Sequence, residues 1–409
     1  MKSNRQKIII IGHGYTSRLS LIRSLAPADC EIIVIAMVFH DRIGRFLRFE
    51  GGRPIDCCSK HVSKVYYCEA KDEEQLVSLL LKKCVDPGMQ NIIIPDSDFS
   101  ASVIDRHQDR LKDFFVFPHI QHMPGAVLHW MNKDRQKALA RELGLNVAEG
   151  RIVTIKDGVY EIPEGISFPC FTKPLKTVGG GKQFLRRCDD LAALRKVLDE
   201  ISRKGDMDVL VEDFKRIDKE FAVVGLSNGK DVCIPGIIQF SANSRSHFGI
   251  AREGRVFPTD GFEEILARFR EYLRRVGFYG LFDIDFYESD GRMYFGELNL
   301  RFGGSGYALT KMGVNLPLLF VRSLQGGETA GYDALRIQGE ATFVNERMCV
   351  DDWSFYYITK EEMTRMIEAA DIHFIYDKTD TGPQVKLERY IRLQQVKRWL
   401  RKMLSVLHV

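Results

Sequence analysis

Two architectures follow one another along this chain of 409 residues: an α/β segment on a parallel sheet, then an α+β segment of hairpin-connected strands. Three observations predict them. Apolar runs without polar alternation, such as Lys7–Ile11 and Glu31–Phe39, are separated by amphipathic stretches up to about residue 115. Strands that are oily on both faces need helices on both, which is the parallel arrangement. Beyond Lys133 the rhythm changes to short strands in succession with fewer helices between them. At ~100–200 residues per domain, the length also predicts two or three domains.

In chain order, strands are expected at Lys7–Ile11, Glu31–Val38, Val65–Cys68 and Asn91–Ile94, with helices at Tyr15–Leu25, Glu73–Cys84 and Phe99–Leu111. Ligands of such sheets lie at the carboxyl ends of the strands. The turn after the first strand, Gly12 to Ser17 (GHGYTS), resembles a dinucleotide fingerprint but has Ser17 in place of the third glycine. It reads either as a ligand-approach turn or as a plain strand-to-helix connection. At the end of the fourth strand, Ser97 or Asp98 caps the next helix or faces a ligand.

The second segment begins with a helix at Lys133–Leu143, followed by strands at Arg151–Ile155 and Pro169–Pro174. A glycine-rich turn, a helix at Leu191–Ser202 and strands at Val209–Val211, Glu220–Leu226 and Val232–Ile238 come next. A helix at Gly261–Val276 then precedes strands at Leu281–Tyr287 and Met293–Leu300. The expected domains are residues 1–120, 121–330 and a smaller C-terminal region, 331–409. That last region ends in a basic amphipathic helix, where Leu393, Val396, Leu400, Met403, Leu404 and Leu407 repeat at three- and four-residue spacing. Its lysines and arginines are expected to form a solvated face, the alternative being contact with an anionic membrane or a partner.

Composition narrows the function. Hydrophobic residues make up 45% and charged residues 28%, an ordinary globular balance that excludes disorder and collagen-like repeats. Lys and Arg exceed Asp and Glu by four, too little to imply a nucleic-acid partner. No apolar run reaches the ~18 residues of a membrane span. The start, MKSNRQ, lacks the apolar segment of a signal peptide. Nine cysteines without a CxxC pattern, Cys57 and Cys58 included, read as reduced thiols in a cytosol. A cytoplasmic enzyme is expected, with its oligomeric state open and a homo-oligomer included.

The segment Gly280–Tyr307 carries the chemistry. On its first strand Phe282, Ile284 and Phe286 share one face, and Asp283 and Asp285 the other. On the second, Tyr294, Gly296, Leu298 and Leu300 lean apolar, while Phe295, Glu297, Asn299 and Arg301 point away. Bringing the polar faces together requires an odd loop, and Ser289-Asp290-Gly291 fits one. That register sets Asp283 opposite Glu297; a shift of two sets Asp285 there. Clustered carboxylates repel by several kcal/mol in a low-dielectric pocket unless a cation joins them. Carboxylate and amide oxygens suit Mg²⁺ or Mn²⁺.

A magnesium site suggests phosphates. Lys173 ends a strand and leads into LKTVGGGK, where Gly179, Gly180 and Gly181 leave backbone N–H groups free to cradle phosphate oxygens. The pattern is not GxxxxGK[ST], which disfavours a P-loop. Lys133 opens a helix. Glu212 ends a strand running into Phe214, and Glu220 begins the next.

The order Lys133, Lys173 with its glycines, Glu212 to Glu220, Asp283/Asp285, then Glu297-Leu298-Asn299-Leu300-Arg301 resembles the ATP-grasp superfamily. Within it, the chain looks most like the carbamoyl-phosphate-synthase-like and D-aspartate-ligase-like carboxylate–amine ligases. The resemblance implies an ATP-grasp fold preceded by a parallel α/β (pre-ATP-grasp) domain. It implies that Lys133 and Lys173 bind phosphates, that Gly179–Gly181 close over them, that Glu212 and Phe214 meet the adenine, and that Glu220 meets the ribose. Asp285 (or Asp283), Glu297 and Asn299 would hold Mg²⁺, and Arg301 would touch the transferring phosphate. The implied reaction activates a carboxylate as an acyl phosphate for attack by an amine. Its small-molecule partners are thus a carboxylate and an amine. Alternatives are carboxyphosphate chemistry and a silent ATP-binding protein. Leu300 departs from the proline usual in the family's motif.

Overall fold

The computed structural model describes residues 5–38, 53–70, 72–175, 184–247, 249–325 and 331–407. Strands β1 (Gln6–Gly12), β2 (Cys30–Val38), β3 (Lys64–Glu69) and β4 (Gln90–Pro95) form a parallel sheet in the order β3-β2-β1-β4. In the KIIII run, Ile8 and Ile10 pack with Leu21 and Ile22 of the helix Tyr15–Leu25. Ile9 and Ile11 pack with Leu76 and Val103 on the opposite face. Burial on both faces is the physical reason that the run lacks alternation. The expected Glu73–Cys84 helix is present, its last turn a π-turn over Leu80–Cys84. The next one breaks at His107.

A short β5 (His119–Ile120) and the helices Ala126–Trp130 and Lys133–Glu142 lead to a second sheet. It comprises β6 (Gly150–Ile155), β7 (Cys170–Pro174), β8 (Arg186–Cys188) and β9 (Met207–Asp213), antiparallel in the order β6-β9-β7-β8. The helix Leu191–Ser202 buries Leu194, Leu198 and Ile201 against it.

The large sheet follows: β10 (Lys219–Asn228), β11 (Val232–Cys233), β12 (Ile237–Asn243), β13 (Ala251–Phe257), β14 (Phe278–Ser289), β15 (Arg292–Asn299), β16 (Ala341–Val344) and β17 (Ile372–His373). Its order is β15-β14-β10-β12-β13-β16-β17, with β11 on β10 and β5 on β14. The expected strand Val232–Ile238 is two strands, split around Pro235, which has no N–H to donate to a ladder. Strand β13 (AREGRVF) is an addition to the sequence reading, which its charges and glycine concealed. Residues beyond 331 supply β16 and β17 to this same sheet, then the helices Glu346–Ser354, Lys360–Ala369 and Gly382–Leu407. No helix among the described residues is long and apolar enough to cross a membrane. All nine cysteines are free thiols.

Candidate functional site

The acidic hairpin differs from expectation in its turn. Ser289 pairs with Arg292, so the loop is the two residues Asp290-Gly291, both left-handed at φ 49° and 69°. Such a loop alone would turn the acids of the two strands to opposite faces. A β-bulge restores the match: Phe286 pairs with Phe295, yet Asp285 pairs with Glu297, leaving Gly296 unpaired. Ile284 then meets Leu298, and Asp283 meets Asn299. Of the two registers open in the sequence, the structure takes the one that sets Asp285 opposite Glu297. The bulge also moves Phe295, expected on the acidic face, into the core beside Leu298 and Leu300. Gly296 permits this because a Cβ there would lie 2.8 Å from the Asp285 carbonyl oxygen.

Electrostatics on this surface are strained by burial. Asp283, 8% exposed, has its pKa pushed up to about 6 by burial, against the pull of Arg301. Burial, then Asp283 and Glu220, hold the Asp285 carboxyl well above the usual carboxylate range. Glu220 is likewise raised by burial, opposed by the Asn243 amide that donates to its Oε2 at 2.6 Å. The Asn299 amide donates to Asp285 Oδ2 at 3.3 Å. Arg301 donates to Asp98 Oδ1 at 3.0 Å and stands 3.8 Å from Asp283 Oδ2. Burial opposes the Arg301 charge, but Asp98, Asp283 and Asp285 outweigh it and raise its pKa.

These donors fit a hard divalent cation. Asp283 Oδ1 is buried without a hydrogen-bond partner, and two neighbouring carboxylates are held toward their protonated forms, a state that a cation relieves. Asp285, Glu297 and Asn299 offer two carboxylates and an amide. Glu297 is turned onto the Lys133 ammonium as an ion pair. No three His, Cys, Asp or Glu side chains among the described residues are drawn together as a metal-binding group.

Lys133 is the first residue of its helix, set there by the Asn132 side chain, which accepts from Asp134 N and Arg135 N at 3.0 and 3.2 Å. One turn later on the same face, Lys137 forms an ion pair with Glu212. Lys173 approaches Glu212 from the other side at 2.6 Å. Glu212 sits on β9 opposite Phe171 of β7, which makes Lys173 its diagonal neighbour on one sheet face. Gly150, opposite Glu212 on β6, leaves space for the glutamate: a Cβ there would meet Glu212 Cγ at 3.0 Å. Two ammoniums around one carboxylate leave an excess positive charge in a buried place. Burial, then Arg141 and Lys133, depress the Lys137 pKa to about 7. Burial, then Lys137 and Lys133, hold Lys173 well below the lysine range. A phosphate is the natural counter-charge for such a group.

The structure thus joins Lys133 to Glu297, Lys173 to Glu212, and Asp283, Asp285, Asn299 and Arg301 to one another. Phe214 is not among them: its N–H donates to the Pro169 carbonyl at 3.0 Å and its ring lies under Arg187, 4.6 Å away. Gly179, Gly180 and Gly181 lie outside the described residues. Sequence reading missed Lys137, although its i+4 spacing from Lys133 was the available signal. It also missed Asp98 as the Arg301 partner: Ser97 caps the helix, accepting from Ser100 N, which frees Asp98 to reach across. Of the two readings of the turn after β1, the connection is favoured, since the space a Gly12 side chain would take is filled by the Asp96 carboxylate, 1.4 Å from that Cβ position.

Comparison with known proteins bears on this arrangement. The pattern of the ATP-grasp domain matches residues 138–315. The carbamoyl phosphate synthase large chain of Gemmatimonas aurantiaca is 26% identical over 208 residues, 50% of this chain and 19% of that protein. The chain therefore spans about a fifth of the length of such relatives. The formate-dependent phosphoribosylglycinamide formyltransferase of a Sulfurovum species is 25% identical over 296 residues, 68% of this chain and 72% of that one. Among solved structures, the L-amino acid ligase from Bacillus licheniformis superposes with a TM-score of 0.61 at 17% identity, covering 83% of this chain and 79% of the ligase. The N5-carboxyaminoimidazole synthetase from Staphylococcus aureus, complexed with ADP, gives 0.60 at 14% identity, covering 83% and 82%.

Proposed function

We propose that this chain, whose residues 138–315 match the pattern of the ATP-grasp domain, is an ATP-dependent ligase that activates a carboxylate as an acyl phosphate for attack by an amine. The observation that carries the reading is the bulged hairpin, which sets Asp285 opposite Glu297 and Asp283 opposite Asn299 beside Arg301. The three-lysine group of Lys133, Lys137 and Lys173 supplies the complementary phosphate-binding charge.

In this reading, Lys133 and Lys173 exchange Glu297 and Glu212 for phosphate oxygens of ATP, and Lys137 holds Glu212 in place as they do so. Asp285, Glu297 and Asn299 would hold Mg²⁺, which when bound neutralises charge on the phosphates. A substrate carboxylate oxygen attacks the γ-phosphorus and ADP leaves, giving a mixed anhydride. Arg301, oriented by Asp98, stabilises charge on the transferring phosphoryl group. The amine nitrogen then attacks the acyl carbon, loses a proton, and expels phosphate to leave an amide.

The test is product analysis with Mg-ATP, pooled amino acids, small carboxylates and bicarbonate. ADP and phosphate formed only when a carboxylate and an amine are both present support the reading. Turnover driven by bicarbonate alone would replace it with carboxyphosphate chemistry. ATP binding abolished by Lys173→Ala, without turnover in any mixture, would leave a binding protein.

A further inference from the structure

The C-terminal helix Gly382–Leu407 lies on the protein with its apolar stripe outward. An amphipathic helix ordinarily turns such a stripe toward the core. In the structure Leu393, Val396, Trp399, Leu400 and Met403 are instead 37–58% exposed. At 100° per residue these five fall within an arc of about 120°, a single outward stripe. The inward face is built differently. Leu387 and Gln394 are buried, and Arg398 lies over the rings of Trp353 and Tyr356 at 4.9 and 3.8 Å. Arg401 lies over Phe355 at 5.6 Å and donates to the Ser354 carbonyl at 3.1 Å. These arginine contacts fix the rotation of the helix, so the apolar stripe faces away from the protein by construction.

Charge identifies what covers the stripe. The helix carries seven Lys and Arg against one Glu, more positive charge than the +4 of the whole chain, so the remainder is net negative. Arg389 and Arg392 are exposed on the same side as the stripe. A second copy of this helix would bring like charges together. A nucleic acid would satisfy the arginines but leave the aliphatic side chains without a partner. An anionic lipid surface satisfies both, taking the apolar row and Trp399 into the acyl boundary and the cations at the headgroups.

We propose that the protein docks through the outward face of this helix on anionic membrane surfaces. The test is flotation of the full-length protein with vesicles of phosphatidylcholine alone or containing about 30% phosphatidylglycerol. Expected are binding to the anionic vesicles only, at least a tenfold loss between about 0.1 and 0.5 M NaCl, and a blue shift of tryptophan emission. Val396→Glu/Leu400→Glu should remove binding while leaving circular dichroism and the melting temperature unchanged, since neither side chain packs inward. Arg389→Glu/Arg392→Glu should weaken it at least tenfold. Absence of binding to either vesicle overturns the proposal. So does equal binding to neutral vesicles, retention on duplex RNA in place of vesicles, or a concentration-dependent dimer that the Val396/Leu400 variant dissolves.

Discussion

Asp285 stands directly opposite Glu297 because Gly296 is bulged out of the ladder between them. Without that one unpaired residue, the two-residue turn would place Asp285 against a glycine, and Glu297 would face away.

Gly296→Val therefore tests the bulge itself. Its Cβ would lie 2.8 Å from the Asp285 carbonyl oxygen, so the pairing must shift. The expected cost is ~1–3 kcal/mol in urea unfolding, with ATP turnover lost in parallel. An unchanged midpoint with unchanged turnover would show that the bulge does not set the site.

Asp285→Asn should separate stability from activity. Burial, Asp283 and Glu220 all oppose the Asp285 charge. Its neutral isostere is expected to melt a few degrees higher, while turnover falls more than ~100-fold. A variant that melts lower would refute the charge-strain account.

Asp283 predicts a pH dependence of known sign. Its pKa is pushed up to about 6 in the folded protein, against an ordinary value of 3.8. Between these values the folded state binds more protons, so stability falls as pH rises from 4 to 6 and the deficit stays constant above. The expected difference between wild type and Asp283→Asn across this window is on the order of 2–3 kcal/mol. Added Mg²⁺ should shrink it at pH 7 and have little effect at pH 4. Unfolding at the two pH values, with and without Mg²⁺, measures both.

Lys137→Ala removes one ammonium and leaves Glu212 with Lys173 alone. The freed carboxylate then holds Lys173 more tightly and competes with phosphate. Calorimetry with ATP is expected to show ~10–100-fold weaker binding, as for loss of a charged hydrogen bond. Affinity equal to wild type would remove Lys137 from the site.

Asp98→Ala frees Arg301 from its 3.0 Å partner and lets it settle on Asp283. Its expected signature is a kcat lower by about tenfold with the KM for ATP unchanged, because only the transferring phosphoryl group would sense the misplacement. A raised KM with intact kcat would assign Asp98 to binding instead.

The amino-acid order by itself determined the parallel sheet, because runs such as Lys7–Ile11 are oily on both faces and admit only a doubly covered strand. It also determined which residue types meet: alternation on β14 puts Asp283 and Asp285 on one face, and helix position puts Lys133 at an N-terminus. These are local properties, set by periods of two and 3.6 residues. Tertiary structure alone decided the rest. A single bulged glycine chose the register, since one unpaired residue inverts every side chain beyond it. The Lys137–Glu212 and Asp98–Arg301 pairs join residues 75 and 203 positions apart, distances over which no periodicity operates. The last helix shows the same limit: its stripe was legible, but Arg398 stacked on Trp353 and Tyr356, and Arg401 on Phe355, decided that the stripe faces outward.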